Sequence, residues 1–314
     1  MAQPASSHSS YDAIGNKEDL SDVIDLVAPT KTPVKTALKK VKATSTKHEW
    51  QTHDLAAAAE NFVIEGDDAT TDTASLTARV FNYTGISDKV ARVTGTQESL
   101  DSAGRASEMA FQKETKMKEL NRDIELMILA NTAYVAGVDT TARKVAGAQA
   151  WIKTNTSIAG DATASTGDGS DAHTDGTARA LQESFFTDAL GTAWDNGGMP
   201  TMGVMGKAQK LAIAGFNGNA TRTEDGTKKS VTNTVDIYID PMGNEVRMVP
   251  DNFCPADVVY FLDLEHMAFA CLPGRDAHSV KLAKTGDTER EQILIEWTLE
   301  VGNQEAHAGI YDLS

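Results

Sequence analysis

"KHEWQTHDLAAAAENFVIEGDDA" fills residues 47–69, and its interpretation decides the fold. The first half begins like the zinc-protease signature H-E-x-x-H, with His48 and Glu49 followed by His53 and Asp54. That signature needs histidines four apart, so that both imidazoles leave one helix face towards one ion. His48 and His53 are five apart, which on a helix is about 500° of rotation and turns the rings roughly 140° away from each other. On a strand an odd separation sends them to opposite faces. Neither geometry chelates, so no metal is expected here. The second half is equally poor in core: Ala56–Ala59, then Phe62, Val63 and Ile64 beside an acidic tip, Glu65–Gly66–Asp67–Asp68.

The flanking runs are strand-like. Residues 43–54 are rich in Thr and carry Trp50; Leu76, Ala78, Val80 and Tyr83 alternate, and Ile86–Val93 follows. The whole of 45–93 thus reads as a long two-stranded excursion. Such a ribbon is marginal alone in water, so it needs something else to lie on.

After it comes the strongest periodic signal. Thr94 and Gln97 have the spacing of a capping box, and no proline interrupts the chain from there to Asn131. Ala103, Ala106, Ala110, Met117, Leu120, Ile124 and Met127 fall on a three-four spacing, the core stripe of an amphipathic helix. About 35 residues would make a rod on the order of 50 Å. Its stripe is poor in Leu and Ile, and Lys113 interrupts it, so the expectation is a helix laid along a sheet rather than a coiled coil.

On the N-terminal side, residues 1–16 are small and polar and expected to be loosely attached. A short helix is expected over Glu18–Val27, and another from Pro33, with Thr32 as N-cap, to about Lys40. On the C-terminal side, 135–178 is dominated by Gly, Ala, Thr and Asp around an apolar island at Trp151–Ile152. Then follow a helix over Leu181–Trp194 stopped by Gly197–Gly198, a strand at Met202–Met205 and a helix over Lys207–Ala214. The remainder reads as strand. Val235, Ile237 and Ile239 alternate up to a turn at Pro241–Asn244, Val246–Val249 returns, and Val258–Leu262 is a buried run. Ile293, Ile295, Trp297, Leu299 and Val301 share one face of a long strand, with Glu296 and Glu300 opposite.

The chain has 314 residues and a formal charge of −16. An acidic surface repels nucleic acid and anionic lipid, which makes neither a general partner. The first 50 residues carry seven lysines against six acids, while the remainder carries −17. Lys39, Lys40 and Lys42 lie in an acid-free run from Lys31 to Lys47 that is either a solvated face or an arm touching DNA or an acidic neighbour. Both cysteines, Cys254 and Cys271, sit in apolar runs and are expected to be reduced and structural. The first residues lack the apolar core of a signal peptide, and no stretch is long enough to span a bilayer.

Other chemistry fails on inspection. Gly167–Ala172 loosely fits a dinucleotide fingerprint but follows no buried strand. Gly206–Lys207 imitates the end of a phosphate loop, yet Thr201 replaces its first glycine and Ala208 its hydroxyl. Asp168, Asp171 and Asp175 lack the ligand alternation of a calcium loop. No nucleophile, and no catalytic or cofactor-binding residue, is indicated.

The order of elements, and the wording in places, resembles the tailed-phage major capsid (major head) proteins of the Hong Kong phage-type fold. The matching pieces are Asn16–Leu20 with Pro29–Pro33, His48–Thr52, Val63–Gly66, Ala193–Gly198, Leu282–Asp287 and Glu296–Glu300. The resemblance runs from about residue 16 to the end. It implies an α+β fold with an N-terminal arm (1–44), an extended β-ribbon loop (45–93), a long spine helix with a peripheral sheet (94–134), a mixed α/β axial domain (135–286) and a returning peripheral strand (287–314). It implies a homo-oligomeric structural protein of the virion, assembled in the host cytoplasm as hexamers and pentamers into an icosahedral shell, without cofactor or catalysis. Further partners under this resemblance are portal, scaffold or decoration proteins, with packaged double-stranded DNA met only at the shell's inner face. The loop would lie across a neighbouring subunit, making Phe62, Val63, Ile64 and Glu65 assembly residues, together with Lys39, Lys40 and Lys42. Some relatives cross-link Lys to Asn between subunits; no such pair is assigned here. No acidic helical extension precedes the arm, so assembly control is expected from elsewhere or from a removed segment. Two alternatives stand beside it: the shell of a cellular nanocompartment with the same fold, and a metal hydrolase using His48, Glu49 and His53.

Overall fold

The computed structural model describes residues 28–68, 74–216 and 236–314. The helix expected over Glu18–Val27 lies outside them, as does Val235. The described chain begins with α1 (Pro33–Ala37), which starts on Pro33 as expected but stops early. Leu38 turns extended and Lys39–Lys42 forms β1, a parallel edge strand on Met267–Cys271. Val34 and Leu38 bury in the core, and this tertiary anchoring overrides the local helix preference to Lys40.

The expected excursion is shorter than 45–93. Only β2 (Lys47–Thr52) and β3 (Ala78–Tyr83) pair as an antiparallel ribbon. β4 (Gly85–Thr94) instead pairs antiparallel with the strand Thr288–Val301 over ten residues, from Thr94↔Thr288 to Gly85↔Trp297. An alternation of buried Ala91 and Val93 with exposed neighbours fits a sheet with one covered face.

The long helix is broken. Thr94 does cap a helix, accepting from Gln97 N at 3.4 Å, but α2 (Gly95–Ser99) is a single turn. The chain unwinds through Leu100–Ala106, where Gly104 adopts φ +75°, and restarts as α3 (Glu108–Leu129). Glu98 and Ser107 make the new start favourable: Ser107 Oγ accepts from Ala110 N at 3.2 Å, and Glu98 accepts from Met109 N at 2.9 Å. The rod is therefore about 33 Å rather than 50 Å. Its buried stripe is Met109, Leu120, Ile124, Ile128 and Leu129; Ala103 and Ala106 lie outside it and Ala110 is exposed. It does lie along a sheet, and Lys113, the apparent interruption, ties it there through Glu291 at 2.6 Å.

Next come α4 (Ala148–Trp151), β5 (Thr156–Ser157), α5 (Glu183–Asp195), β6 (Met202–Met205), α6 (Lys207–Ala214), β7 (Ile237–Ile239), β8 (Glu245–Pro250) and β9 (Val259–Leu262). The chain ends with β10 (Met267–Cys271), β11 (His278–Lys281), β12 (Thr288–Val301), a 3-10 turn at Gln304–Ala306 and β13 (Ala308–Ile310). Two sheets result. In the first, β12 is central: β4 flanks one edge, while β10 and β11 follow each other along the other, with β1 outside β10. The second has the order β5-β13-β9-β6-β8-β7.

The run Val259–Leu262 is buried throughout because its sheet is covered on both sides. Tyr260 and Leu262 join the core that also contains α3 and β12, whereas Val259 and Phe261 join Phe186, Leu190 and Ile310 beneath α5. Sequence order does not respect the two sheets. β10 and β11 follow β9 of the second sheet in sequence but join the first, and β13 follows β12 of the first but lies between β5 and β9 in the second.

Candidate assembly interface

The ribbon is fixed at its root and free at its tip. Trp50 lies 5.3 Å from Trp151, ring to ring. Buried Asn82 donates from Nδ2 to Leu299 O at 2.8 Å and accepts from Ala146 N at 3.1 Å. Thr84 donates to Glu296 Oε1 at 2.9 Å. Glu296 is only 3% exposed and also receives Arg143 Nη2 and Arg275 Nε, each at 2.6 Å. The face of β12 opposite Ile295 and Trp297 is thus covered at Glu296 by the ribbon root.

Between Thr52 and Ala78 every described residue, 53–68 and 74–77, is exposed. Leu55, Phe62, Val63, Ile64 and Leu76 are 78–89% exposed, and Glu65 is exposed with them. Asp67 N donates to Ile64 O at 3.0 Å, with Gly66 at φ +86°, so the tip is a turn. Consecutive large apolar side chains left this exposed are more than the scattered singles of ordinary surface. Lys39, Lys40 and Lys42 all lie exposed on edge strand β1, where lysine also discourages strand addition. Among the described residues no ion pair joins them to the tip.

The histidines of the opening stretch part company. His48, on β2, places Nε2 2.8 Å from Glu300 Oε2, while His53 is exposed past the strand end. Among the described residues the one cluster of three metal-ligating types is His173, Asp175 and Asp312. Asp312 is already engaged there, accepting from Ala159 N at 3.0 Å and Gly176 N at 2.8 Å.

One organising residue escaped the sequence. Glu125, fully buried on α3, accepts from Val34 N at 2.7 Å and Lys35 N at 2.8 Å, thereby capping α1 from across the core. Burial raises its pKa to about 7, and the neighbouring Asp251 adds to the rise. Only a carboxylate spaced four residues from Asn121 and Leu129 hinted at it, and that spacing describes any helix.

Among the described residues these features build a scaffold that projects an apolar, acidic loop. A family model described as SU10 major capsid protein matches residues 7–314. The chain belongs to the SU10 major capsid protein family. It is a structural subunit of a phage shell, a virion component that self-assembles, and not an enzyme. The hydrolase alternative built on His48, Glu49 and His53 is thereby set aside.

The major capsid protein of Escherichia phage Phieco32 is 26% identical over 341 residues, covering 96% of each chain. Among solved structures, the capsid of a native GTA particle gives a TM-score of 0.67 at 12% identity, covering 97% of this chain and 98% of that one. Gordonia phage Cozz gives 0.65 at 12%, covering 99% and 97%. An encapsulin from Synechococcus elongatus gives 0.59 at 9%, covering 95% and 92%. At these identities the solved structures share the fold of the capsid subunit and no more.

Proposed function

We propose that this capsid subunit forms the hexamers and pentamers of an icosahedral head around double-stranded DNA of a tailed phage, with its β2–β3 loop laid across a neighbouring subunit. Assembly takes place in the host cytoplasm, with portal, scaffold or decoration proteins as further partners. Residues 1–44 serve as the arm, 45–93 as the loop with β4 as its root, 94–134 as the spine, 135–286 as the axial unit and 287–314 as the return. β10 and β11 are lent to the peripheral sheet, and β13 to the axial one.

The observation that supports this is the exposed triplet Phe62–Val63–Ile64 on a rooted ribbon. Burying three such side chains is worth roughly 1.5–3 kcal/mol each before ordering costs. A closed symmetric shell repeats that contact around every ring. Electron microscopy of the chain produced with its viral assembly factors should show closed shells. Replacing Leu55–Thr73 by a Gly-Ser turn should leave a folded protomer and no shells. A wild type that stays monomeric with those factors present would overturn the proposal.

A further inference from the structure

Two buried carboxyl groups meet where α3 passes the end of β8. Glu125 is fully buried, and Asp251, the residue after β8, is 4% exposed. Their side chains lie within hydrogen-bonding reach of each other. Both Glu125 oxygens also accept from the backbone, Oε1 from Val34 N and Oε2 from Lys35 N. Asp251 Oδ1 accepts from Phe253 N at 3.0 Å, while Oδ2 is buried and meets no N–H or O–H donor. Ionised carboxylates only accept, so two of them bond to each other only through a proton. Burial pushes both groups above the ordinary carboxylate range, which keeps that proton in place.

The charges around the pair do not replace the proton. Lys35 on α1 spends its ammonium on Asn121 Oδ1 at 2.6 Å. Arg122 on α3 lies over the Phe253 ring, 5.6 Å from its centroid. Cys254 and Asp257 follow Asp251 in the chain, and burial keeps the Cys254 thiol neutral. On α6, Lys210 donates to Met248 O at 2.8 Å. Lys207 is different. It is exposed, and it lines one open cleft of about 440 Å³ together with Asp251, Asn252 and Cys254.

We propose that Glu125 and Asp251 share one proton that latches α3 to the end of β8, and that losing it lets the Asp251 carboxylate turn into the cleft towards Lys207. Two adjacent negative charges in a buried site repel strongly, and Asp251 is the side that yields. Glu125 is held by two backbone donors from another element, whereas Asp251 has one donor, inside its own turn. The Asp251 backbone stays in place, because its N–H donates to Met205 O at 2.9 Å. The switch is therefore a side-chain rotation between two partners, a proton-bridged acid and an ammonium in water. α3 packs on the first sheet and β8 belongs to the second, so the proton sets how firmly the two are joined at this point. The device goes beyond the shell arrangement and does not depend on it.

Carbon-13 NMR of the unassembled protomer, labelled at the Asp and Glu carboxyls, reads the proton directly. Glu125 and Asp251 should titrate together in two macroscopic steps, the upper one at about 7. Asp251→Asn offers an N–H where the proton stood and should move the Glu125 step down by about one pH unit or more. Two separate steps in the ordinary carboxylate range would overturn the shared proton.

Hydrogen exchange at the Phe253 amide reads the rotation, because turning Asp251 away frees the N–H that Oδ1 now accepts. After correction for intrinsic base catalysis, the wild-type open fraction should climb about tenfold per pH unit, the slope of one proton, and level off above about 7. Asp251→Asn should abolish that climb. Lys207→Glu should carry it to higher pH, since the cleft then repels the carboxylate, and Lys207→Arg should leave it unchanged. A flat wild-type profile, or a Lys207→Glu profile identical to wild type, would overturn the rotation. Protection that a chelator removes would overturn the proton itself, by making the bridge a divalent cation.

Discussion

Glu296 on β12 accepts a hydrogen bond from Arg143 Nη2 at 2.6 Å. With Arg275 Nε on its other oxygen at 2.6 Å and Thr84 at 2.9 Å, this one buried carboxylate ties together three segments. They are the root of the ribbon, the stretch before α4 and the turn after β10. Thr84 makes this carboxylate one of the links between the ribbon root and the sheet, beside Asn82 to Leu299 and His48 to Glu300.

Glu296→Ala should cost about 1.5–3 kcal/mol, since a buried carboxylate's charge-assisted hydrogen bonds are lost while Arg143 and Arg275 keep access to water. Urea unfolding of the unassembled protomer measures it. A loss below about 1 kcal/mol would mean that water compensates the two guanidiniums and that the hub does not hold the root.

Glu125 makes part of the stability pH-dependent. Burial, with Asp251 beside it, raises its pKa from an ordinary 4.5 to about 7, against the opposing pull of the Lys35 and Val34 amides. Between those values the folded chain holds a proton that the unfolded chain has released. Its contribution is therefore full below pH 4.5 and lost as pH rises towards 7, on the order of 3 kcal/mol. Lys35, lowered to about 8 mainly by its burial, works in the opposite sense, adding stability as pH rises from about 8 to 10.5. Glu125→Gln should flatten the acid-side slope in denaturant titrations from pH 4.5 to 7; a slope that persists would assign it to another group.

Ile124 is fully buried in α3, five residues before its end. Ile124→Pro removes a helix hydrogen bond and clashes with the preceding turn, at about 3 kcal/mol or more. Ile124→Ala keeps the helix and leaves a cavity, for about 2–5 kcal/mol. Folded, normally assembling Pro variant would mean that the rod ends earlier.

Phe62→Ser, Val63→Ser and Ile64→Ser together should leave the melting temperature of the protomer within about 2 °C of wild type, because exposed side chains contribute little to the fold. Shell yield by sedimentation should nevertheless collapse. A large drop in protomer stability would show that the triplet packs at home.

His48 is committed to Glu300 rather than to a partner histidine. Elemental analysis of tag-free protein should find well under one zinc per chain, unchanged by His48→Ala or His53→Ala. Stoichiometric zinc lost on either substitution would overturn this.

Periodicity alone determined much of this molecule. The strands read at Met202–Met205, Val258–Leu262 and Ile293–Val301, the helices over Leu181–Trp194 and Lys207–Ala214, and a coreless loop around Phe62 all follow from residue spacing and type, which are local properties of the chain, and the structure places an element at each of these strands and helices. The resemblance carried by scattered short pieces then pointed to a shell subunit. Tertiary structure decided the rest. Glu296 and Glu125 look like solvent-facing acids until the elements that cover them are in place, and a partner 91 residues away, such as Val34 for Glu125, leaves no local trace. β4 reads as ribbon but pairs with β12, because pleat fixes which side chains point inward and not which strand supplies the hydrogen bonds. The break at Gly104 arises in the same way: Glu98 and Ser107 cap a new helix start, and a cap shows in the sequence only after its partner's position is known.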